Sequence, residues 1–113
     1  MGSAIIRTAT IANGASLSDA IATDGAAVVG IVMPAAWTAA NLTFQCSADD
    51  VTFANLYDEL GTEKTVTAST SRYIYLNPAD FSGCDSLKVR SGTAGSAVNQ
   101  GGDRSIVFVL IKL

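Results

Sequence analysis

The sequence predicts an all-β protein, a single antiparallel β-sandwich of jelly-roll or related Greek-key topology, and three observations support this prediction. Apolar and polar residues alternate with a period of two over much of the chain, in segments rich in β-branched residues. Turn signals such as Asn13-Gly14 and Asp24-Gly25 recur about every 8 to 12 residues, as in sandwiches and barrels. No segment has convincing helical periodicity, and a length of 113 residues suits one domain covering 1–113.

The predicted strands are short, about nine in number, and most end at a turn signal, a proline or a polar segment. In chain order they are Ala4–Ile11, Ser16–Thr23, Ala26–Pro34, Asn41–Ser47, Val51–Asp58, Lys64–Ala68, Ser71–Asn77, Ser86–Ser91 and Ser105–Leu113. The clearest is Asn41–Ser47, in which apolar and polar residues alternate as in a half-buried strand. Lys64–Ala68 is polar and predicts an edge strand, whereas the glycine-rich segment Gly92–Arg104 predicts a flexible surface connection.

Composition and charge exclude several classes of function. Charged residues make up only 15% of the chain, against about 25% in a typical domain. The seven basic residues are scattered, so no basic run could follow a nucleic-acid backbone. No apolar stretch approaches the ~20 residues that span a bilayer, and the first residues lack the regions of a signal peptide. We therefore expect synthesis in a cytoplasm and neither a nucleic-acid nor a membrane partner.

The two cysteines, Cys46 and Cys84, do not form a C-x-x-C pair. A reducing compartment favours free thiols. Because Cys46 lies in an alternating apolar pattern, we predict that it is a small buried hydrophobic residue. A Cys46–Cys84 disulfide is the alternative, since the sequence gives no geometry for the pair.

The sequence predicts no catalytic, cofactor or metal site. It contains no histidine, which removes the commonest general base, the usual catalytic triads and most zinc sites. Half of the ten acidic residues cluster in one stretch, where paired carboxylates could suggest a glycosidase: Asp49, Asp50, Asp58, Glu59 and Glu63. We assign Asp49 and Asp50 to the tip of a tight hairpin and the others to the next turn, at the opposite end of one strand. The spacing of a calcium-binding loop is absent, so these residues are interpreted as solvent-exposed turns.

Trp37, Tyr73 and Tyr75 are candidate residues for binding a partner or ligand. Trp37 is the only tryptophan; it either closes one end of the sandwich or joins the tyrosines in a sugar-stacking platform or interface anchor. Tyr73 and Tyr75 share one face of a strand, opposite Ile74 and Leu76. One of these two pairs must face away from the core, which predicts an exposed apolar or aromatic patch and hence a partner surface.

The segment from Ala26 to Leu113 resembles small β-sandwich proteins encoded among the structural genes of tailed phages and prophages. The resemblance lies in "GIVMPAAW", in "LTFQCSADDVTFANLYDELG", in "RYIYLNPADFSGCDSLKVRSG" and in the closing apolar strand. The family pattern usually has glycine where this sequence has Asp50, and it requires neither Cys46 nor Cys84. The pattern implies a fold and a gene neighbourhood rather than an enzymatic activity.

The resemblance implies a non-enzymatic virion protein, above all a capsid decoration (cement) protein on the capsid surface, made in the host bacterial cytoplasm. Such proteins commonly form dimers or trimers that clamp neighbouring capsid subunits. The expected partners are therefore the major capsid protein, or another head or tail protein, and further copies of the chain. Met1–Ile6 and Gly92–Gly102 are the expected contact segments. The alternative is a carbohydrate-binding, discoidin- or lectin-like adhesion module, because the Ser47–Phe53 hairpin also resembles hairpins of such modules.

Overall fold

Eight β-strands form two antiparallel sheets in the computed structural model, which describes residues 4–112. The strands are β1 (Ala4–Ile11), β2 (Ile21–Ala22), β3 (Ala27–Val32), β4 (Leu42–Ser47), β5 (Ala54–Asn55), β6 (Tyr73–Tyr75), β7 (Ser86–Ser91) and β8 (Arg104–Ile111). The first sheet has the strand order β1-β8-β3-β6, and the second sheet has the order β2-β7-β4-β5. This is the strand order of a jelly roll, so the predicted all-β antiparallel sandwich is confirmed.

Side-chain alternation places an apolar core between the two sheets. On β8, Ile106, Phe108 and Leu110 are fully buried, and β4 contributes Phe44 from the opposite sheet. The Phe44 ring packs edge-to-face on two others, with its centroid 6.3 Å from that of Phe108 and 5.2 Å from that of Phe81. Burial of each such side chain contributes about 1.5–3 kcal/mol, so this cluster is a main source of the stability of the sandwich.

The corner between β6 and β7 contains a 3₁₀ turn, Pro78–Phe81. Asn77 caps this turn, since its side-chain oxygen accepts a hydrogen bond from the Ala79 N–H, and proline suits the first position because no donor is needed there. The turn directs Phe81 into the core. Within residues 4–112 no helix is long and apolar enough to cross a membrane.

One predicted strand is much shorter than its sequence pattern indicates. Val51–Asp58 forms a strand only at Ala54–Asn55. The Asp49 carboxylate accepts hydrogen bonds from the N–H groups of Val51 and Thr52, at 2.9 and 2.8 Å. These donors are therefore satisfied locally and are not available to the ladder with β4.

The predicted strand Ser16–Thr23 is shortened in a similar way, to Ile21–Ala22. Here the Ser18 hydroxyl accepts a hydrogen bond from the Val89 N–H at 2.9 Å, in place of a backbone carbonyl. The predicted edge strand Lys64–Ala68 contributes one isolated bridge to β4. Side chains that compete with the backbone ladder thus account for much of the difference in strand length.

Candidate partner-binding surface

The outer face of the first sheet is uncharged across all four of its strands. In an antiparallel ladder, directly opposed residues point to the same side, so two neighbouring rows of outward side chains can be identified. These rows are Ile6, Val109, Gly30, Tyr75 and Thr8, Val107, Val32, Tyr73. None of these residues is charged, and all of them except Thr8 are apolar or aromatic. We refer to this set as the outer apolar face.

Side chains at both edges of the outer apolar face are exposed to solvent, whereas Val109 in its middle is buried. Tyr75 is 77% exposed, Tyr73 55%, Ile6 53% and Val32 37%. On the opposite side of β6, Ile74 packs against the core, so the tyrosine pair is the one that faces outward. Aromatic and aliphatic groups therefore lie together at the surface, which is typical of sites where proteins contact partners.

The Tyr73 ring lies against the backbone of Gly30. A Cβ atom at Gly30 would be 2.2 Å from the Tyr73 hydroxyl oxygen, so only glycine leaves room for this placement of the ring. The ring covers backbone that would otherwise face solvent on β3. An isolated glycine inside an apolar strand pattern is the sequence signal that could have indicated such a close approach.

Trp37, the third residue predicted for this surface, is half-buried. It packs against the core, and its indole Nε1–H donates a hydrogen bond to the Ala40 carbonyl at 3.0 Å. Because the polar group of the indole is satisfied within its own loop, the ring is held in place. The structure thus exposes the two tyrosines more fully than the tryptophan.

The outer face of the second sheet is covered by a polar network centred on Arg90. Arg90 is only 7% exposed, and its guanidinium donates hydrogen bonds to Glu63 at 3.3 Å, to Thr43 at 3.2 Å and to Asn55 at 2.5 Å. The Glu63 carboxylate also accepts a hydrogen bond from the Ala94 N–H at 3.1 Å. The prediction that Glu63 lies in a solvent-exposed turn is therefore wrong, because its carboxylate is mostly buried and pairs with Arg90.

Asp49 and Asp58 have the turn role that the sequence predicts. Each carboxylate accepts hydrogen bonds from backbone N–H groups of the residues that follow it. Donation from Thr52 and Val51, followed by the Ser47 hydroxyl, lowers the pKa of the Asp49 carboxyl. The connection that Asp49 stabilises covers 48–53, which is longer than the tight hairpin predicted there.

Asp50 and Asp85 bring two carboxyl groups together beside the second sheet. Asp50 has a φ of +65°, a left-handed conformation, and it accepts a hydrogen bond from the Ser86 hydroxyl. A side-chain hydrogen bond with Asp50 and repulsion from its charge raise the pKa of Asp85. Among residues 4–112 no group of three or more His, Cys, Asp or Glu side chains could hold a metal ion.

Cys46 and Cys84 form a disulfide, so the prediction of free thiols is wrong. Cys46 lies on β4 with its side chain toward the core, and Cys84 follows the 3₁₀ turn. Their Cα atoms are 5.3 Å apart, within the range that a disulfide requires. The separation of 38 residues hides this proximity in the sequence, because only the sandwich topology brings the corner against β4.

The two expected contact segments differ in how the structure treats them. Met1–Ile6 is described only from Ala4 onward, where it begins β1, and its first three residues lie outside the described part of the chain. Gly92–Gly102 is anchored rather than flexible. Buried Gln100 accepts a hydrogen bond from the Thr38 N–H at 2.8 Å and donates one to the Thr38 carbonyl at 3.0 Å.

An open groove of about 710 Å³ lies between the start of β3 and the corner that carries the disulfide. Its lining consists mostly of small side chains, and Asp85 is the only ionisable group in it. This groove offers little chemistry for binding or converting a substrate.

Comparison with protein-family models, with curated proteins and with solved structures found no match for this chain. The contrast between its two outer faces is therefore the main physical clue to its function. One face has its charges satisfied internally, and the other exposes apolar and aromatic groups.

Proposed function

We propose that this chain is a non-enzymatic virion structural protein, a capsid decoration protein that binds assembled major capsid subunits and stabilises the head. The outer apolar face carries this proposal. Two rows of outward residues, at ~6.6 Å per row, on four strands at ~4.8 Å spacing give a face of about 250 Å². Contiguous apolar patches of a few hundred Å² are among the largest that monomeric proteins expose, and they are often functional. An uncharged face suits a partner that presents an apolar patch of its own.

The disulfide supports a place of action outside the cell. Such bonds persist in oxidising surroundings, which include virion surfaces, and are rare in a reduced cytoplasm. A virion protein is assembled inside the host and then released, so the Cys46–Cys84 bond would be stable in the particle. The low share of charged residues and the sequence resemblance to phage structural proteins point to the same function.

The proposal is tested by co-sedimentation of the purified protein with heads assembled from the major capsid protein of its own genome. We expect binding, and we expect heads that carry the protein to withstand heating and dilution better than bare heads. Tyr75→Lys should weaken the binding at least about tenfold, because burial of an unpaired charge costs more than 1.4 kcal/mol. Leu60→Lys is the matched control, since Leu60 is 87% exposed in a turn away from this face.

Two outcomes would contradict the proposal: heads that do not bind the protein, or heads whose heat resistance is the same with and without it. Equal weakening by Tyr75→Lys and Leu60→Lys would instead reject the outer apolar face as the contact surface. The isolated variants should have unchanged far-ultraviolet circular dichroism, which shows that the fold is retained.

A carbohydrate-binding adhesion module is the second candidate, and the exposed tyrosine pair is the observation that favours it. Tyr73 and Tyr75 lie on one face of β6, and aromatic rings can stack on sugar rings. A glycan array decides between the candidates. Binding that is abolished by Tyr75→Ala and retained by Tyr57→Ala, at another half-exposed tyrosine, would favour the adhesion module over capsid decoration.

A further inference from the structure

β1 is an unusually long free edge in this sandwich. The four edge strands are β1, β6, β2 and β5, and they contain 8, 3, 2 and 2 residues. Natural proteins usually keep edge strands short or block them, because unpaired backbone groups at an edge can pair with another chain. The edge strands β6, β2 and β5 are short, as this rule requires. β1 is long, and it is blocked only at one end.

Asp19 blocks that end. Its carboxylate accepts a hydrogen bond from the Thr10 N–H at 2.9 Å, and its own N–H donates to the Thr10 carbonyl at 3.3 Å. Thr10 therefore directs its backbone groups away from β8. The direction of the backbone N–H and C=O groups alternates along a strand. Those of Ala4, Ile6 and Thr8 therefore also point away from β8, toward the open edge of the sheet. The segment Ala4–Thr8 is the part of the edge that Asp19 leaves open.

We propose that a second copy of this chain binds at this edge, with Ala4–Thr8 of one copy pairing antiparallel with Ala4–Thr8 of the other. In such a ladder, residues whose backbone N–H and C=O groups point toward the open edge must lie opposite each other. A pairing centred on Thr8 would place Ile6 opposite Thr10, whose groups are already taken by Asp19. Of the other two-fold registers, only the one centred on Ile6 pairs all three open residues, with Ile6 opposite Ile6 of the second copy and Ala4 opposite Thr8.

Charge supports the choice of a second copy as the occupant. The only charged side chain in Ala4–Thr8 is Arg7, and its guanidinium forms an ion pair with Asp24 at 3.0 Å. Each edge is therefore nearly neutral where the two copies meet. Arg7 also donates to the Ile6 carbonyl at 3.2 Å, and that oxygen has a second lone pair for a partner strand.

Area supports the same occupant and deepens the proposed function, on which this step rests. The outer apolar face of one chain covers about 250 Å², well below the ~800 Å² per partner that a standard interface buries. Edge pairing joins two of these faces into one continuous face, eight strands wide, of about 500 Å². The dimer therefore offers a capsid twice the contact area of one chain, while the five-residue ladder itself forms a weak, concentration-dependent dimer.

Cross-linking of the isolated protein tests the register directly. In the proposed pairing, Ile6→Cys places two thiols on the two-fold axis, with Cα atoms about 5.5 Å apart, and a disulfide-linked dimer should form on oxidation. Thr10→Cys is the matched control on the same face. Its two copies would lie about 27 Å apart, so this variant should stay monomeric under the same oxidation.

A charge exchange at the axis supplies a second, independent readout by analytical ultracentrifugation. Ile6→Lys and Ile6→Glu should each weaken self-association about tenfold or more, because like charges face each other across the ladder. A mixture of the two variants should restore the dimer as a heterodimer. Each variant should keep the far-ultraviolet circular dichroism of the parent, since Ile6 is exposed.

A parent chain that is monomeric up to about 1 mM, or equal cross-linking of Ile6→Cys and Thr10→Cys, would overturn the inference. Neither readout involves a capsid, so failure of this inference and failure of the proposed function can be told apart. If the protein dimerises but does not bind heads, only the proposed function is contradicted. If it binds heads as a monomer, only the proposed dimer is contradicted.

Discussion

The outer faces of the two sheets differ in how their side chains are satisfied. On the second sheet, the charges of Arg90 and Glu63 are paired with each other and with neighbouring polar groups. On the first sheet, the outward residues form no comparable polar network, and Tyr73 and Tyr75 are largely in contact with water. The disulfide also starts from the second sheet, at Cys46 on β4.

This difference indicates that the two sheets of the sandwich are stabilised in different ways. The second sheet is reinforced by a covalent bond and a nearly buried ion pair, both of which restrain the long segment between β4 and β7. In the first sheet β8 is instead paired on both sides along most of its length, with one register shift against β3 between Val28 and Gly30. We therefore expect its outer surface, which exposes Tyr73 and Tyr75, to contribute little to folding.

Removal of the disulfide should have the largest effect on stability. Closure of a loop of 38 residues lowers the entropy of the unfolded chain by an amount equivalent to about 4 kcal/mol. We therefore expect the Cys46→Ala/Cys84→Ala double variant to lose about that much free energy of unfolding, measured by urea denaturation. Reductant should destabilise the parent similarly and leave the double variant unchanged. Unchanged stability of a parent whose thiols are shown to be free by mass spectrometry would contradict this prediction.

Loss of the Glu63 carboxylate should have the next largest effect, about 3 kcal/mol in urea denaturation. Glu63→Ala leaves the Arg90 guanidinium nearly buried without its anionic partner, and breaking such a pair typically costs 3–5 kcal/mol. The lower end of that range applies because Arg90 keeps its hydrogen bonds to Asn55 and Thr43. Glu59→Ala is the control, since Glu59 is exposed in the preceding turn. Equal effects of the two substitutions would show that the ion pair does not stabilise the second sheet.

The regular strands are the part of the fold that the sequence predicts best. The bounds predicted for β1 and β7 agree with the structure, because each of these strands pairs along its whole length with a neighbour, β1 with β8 and β7 with β4. β5 is shorter than predicted because Asp49 captures two backbone donors, an effect that residue periodicity does not record. For β6 the sequence predicted that either Tyr73 and Tyr75 or Ile74 and Leu76 face solvent. The packing of Ile74 against the core shows that the tyrosines do.

The contacts that stabilise the second sheet could not be predicted, because they join residues distant in sequence. Arg90 and Glu63 are 27 residues apart, and Cys46 and Cys84 are 38 apart. Neither pair has a local motif that would mark it. The left-handed conformation of Asp50, with a φ of +65°, was not predicted either, although aspartate tolerates this region better than most residues.

Substitution on the outer apolar face should change the free energy of unfolding by no more than about 0.5 kcal/mol. Tyr75→Lys is the test, because Tyr75 is 77% exposed and loses few contacts when replaced. Tyr75→Phe serves as the control that keeps the ring and removes only the hydroxyl. A loss larger than about 1.5 kcal/mol in urea denaturation would mean that this face stabilises the fold, and the division between the two sheets would no longer hold.

The smallest effect concerns the carboxyl pair beside the second sheet. Asp50→Asn replaces the carboxylate whose hydrogen bond and charge together raise the pKa of Asp85, while asparagine tolerates the left-handed conformation at this position. The pKa of Asp85 should therefore fall toward its ordinary value of 3.8, as measured by carbon-detected NMR titration. A pKa that stays raised in this variant would show that Asp50 is not the cause.

The sign of the accompanying change in stability follows from linkage. Because the pKa of Asp85 is higher in the folded than in the unfolded state, its contribution to stability is present below pH 3.8 and is lost as the pH rises through the raised value. Asp50→Asn should abolish that loss. Asp49 provides a contrast of opposite sign in the same loop, since its lowered pKa gives stability that is lost as the pH falls below 3.8. Asp49→Asn should therefore reduce stability at neutral pH and leave it nearly unchanged in acid, whereas Asp50→Asn should not.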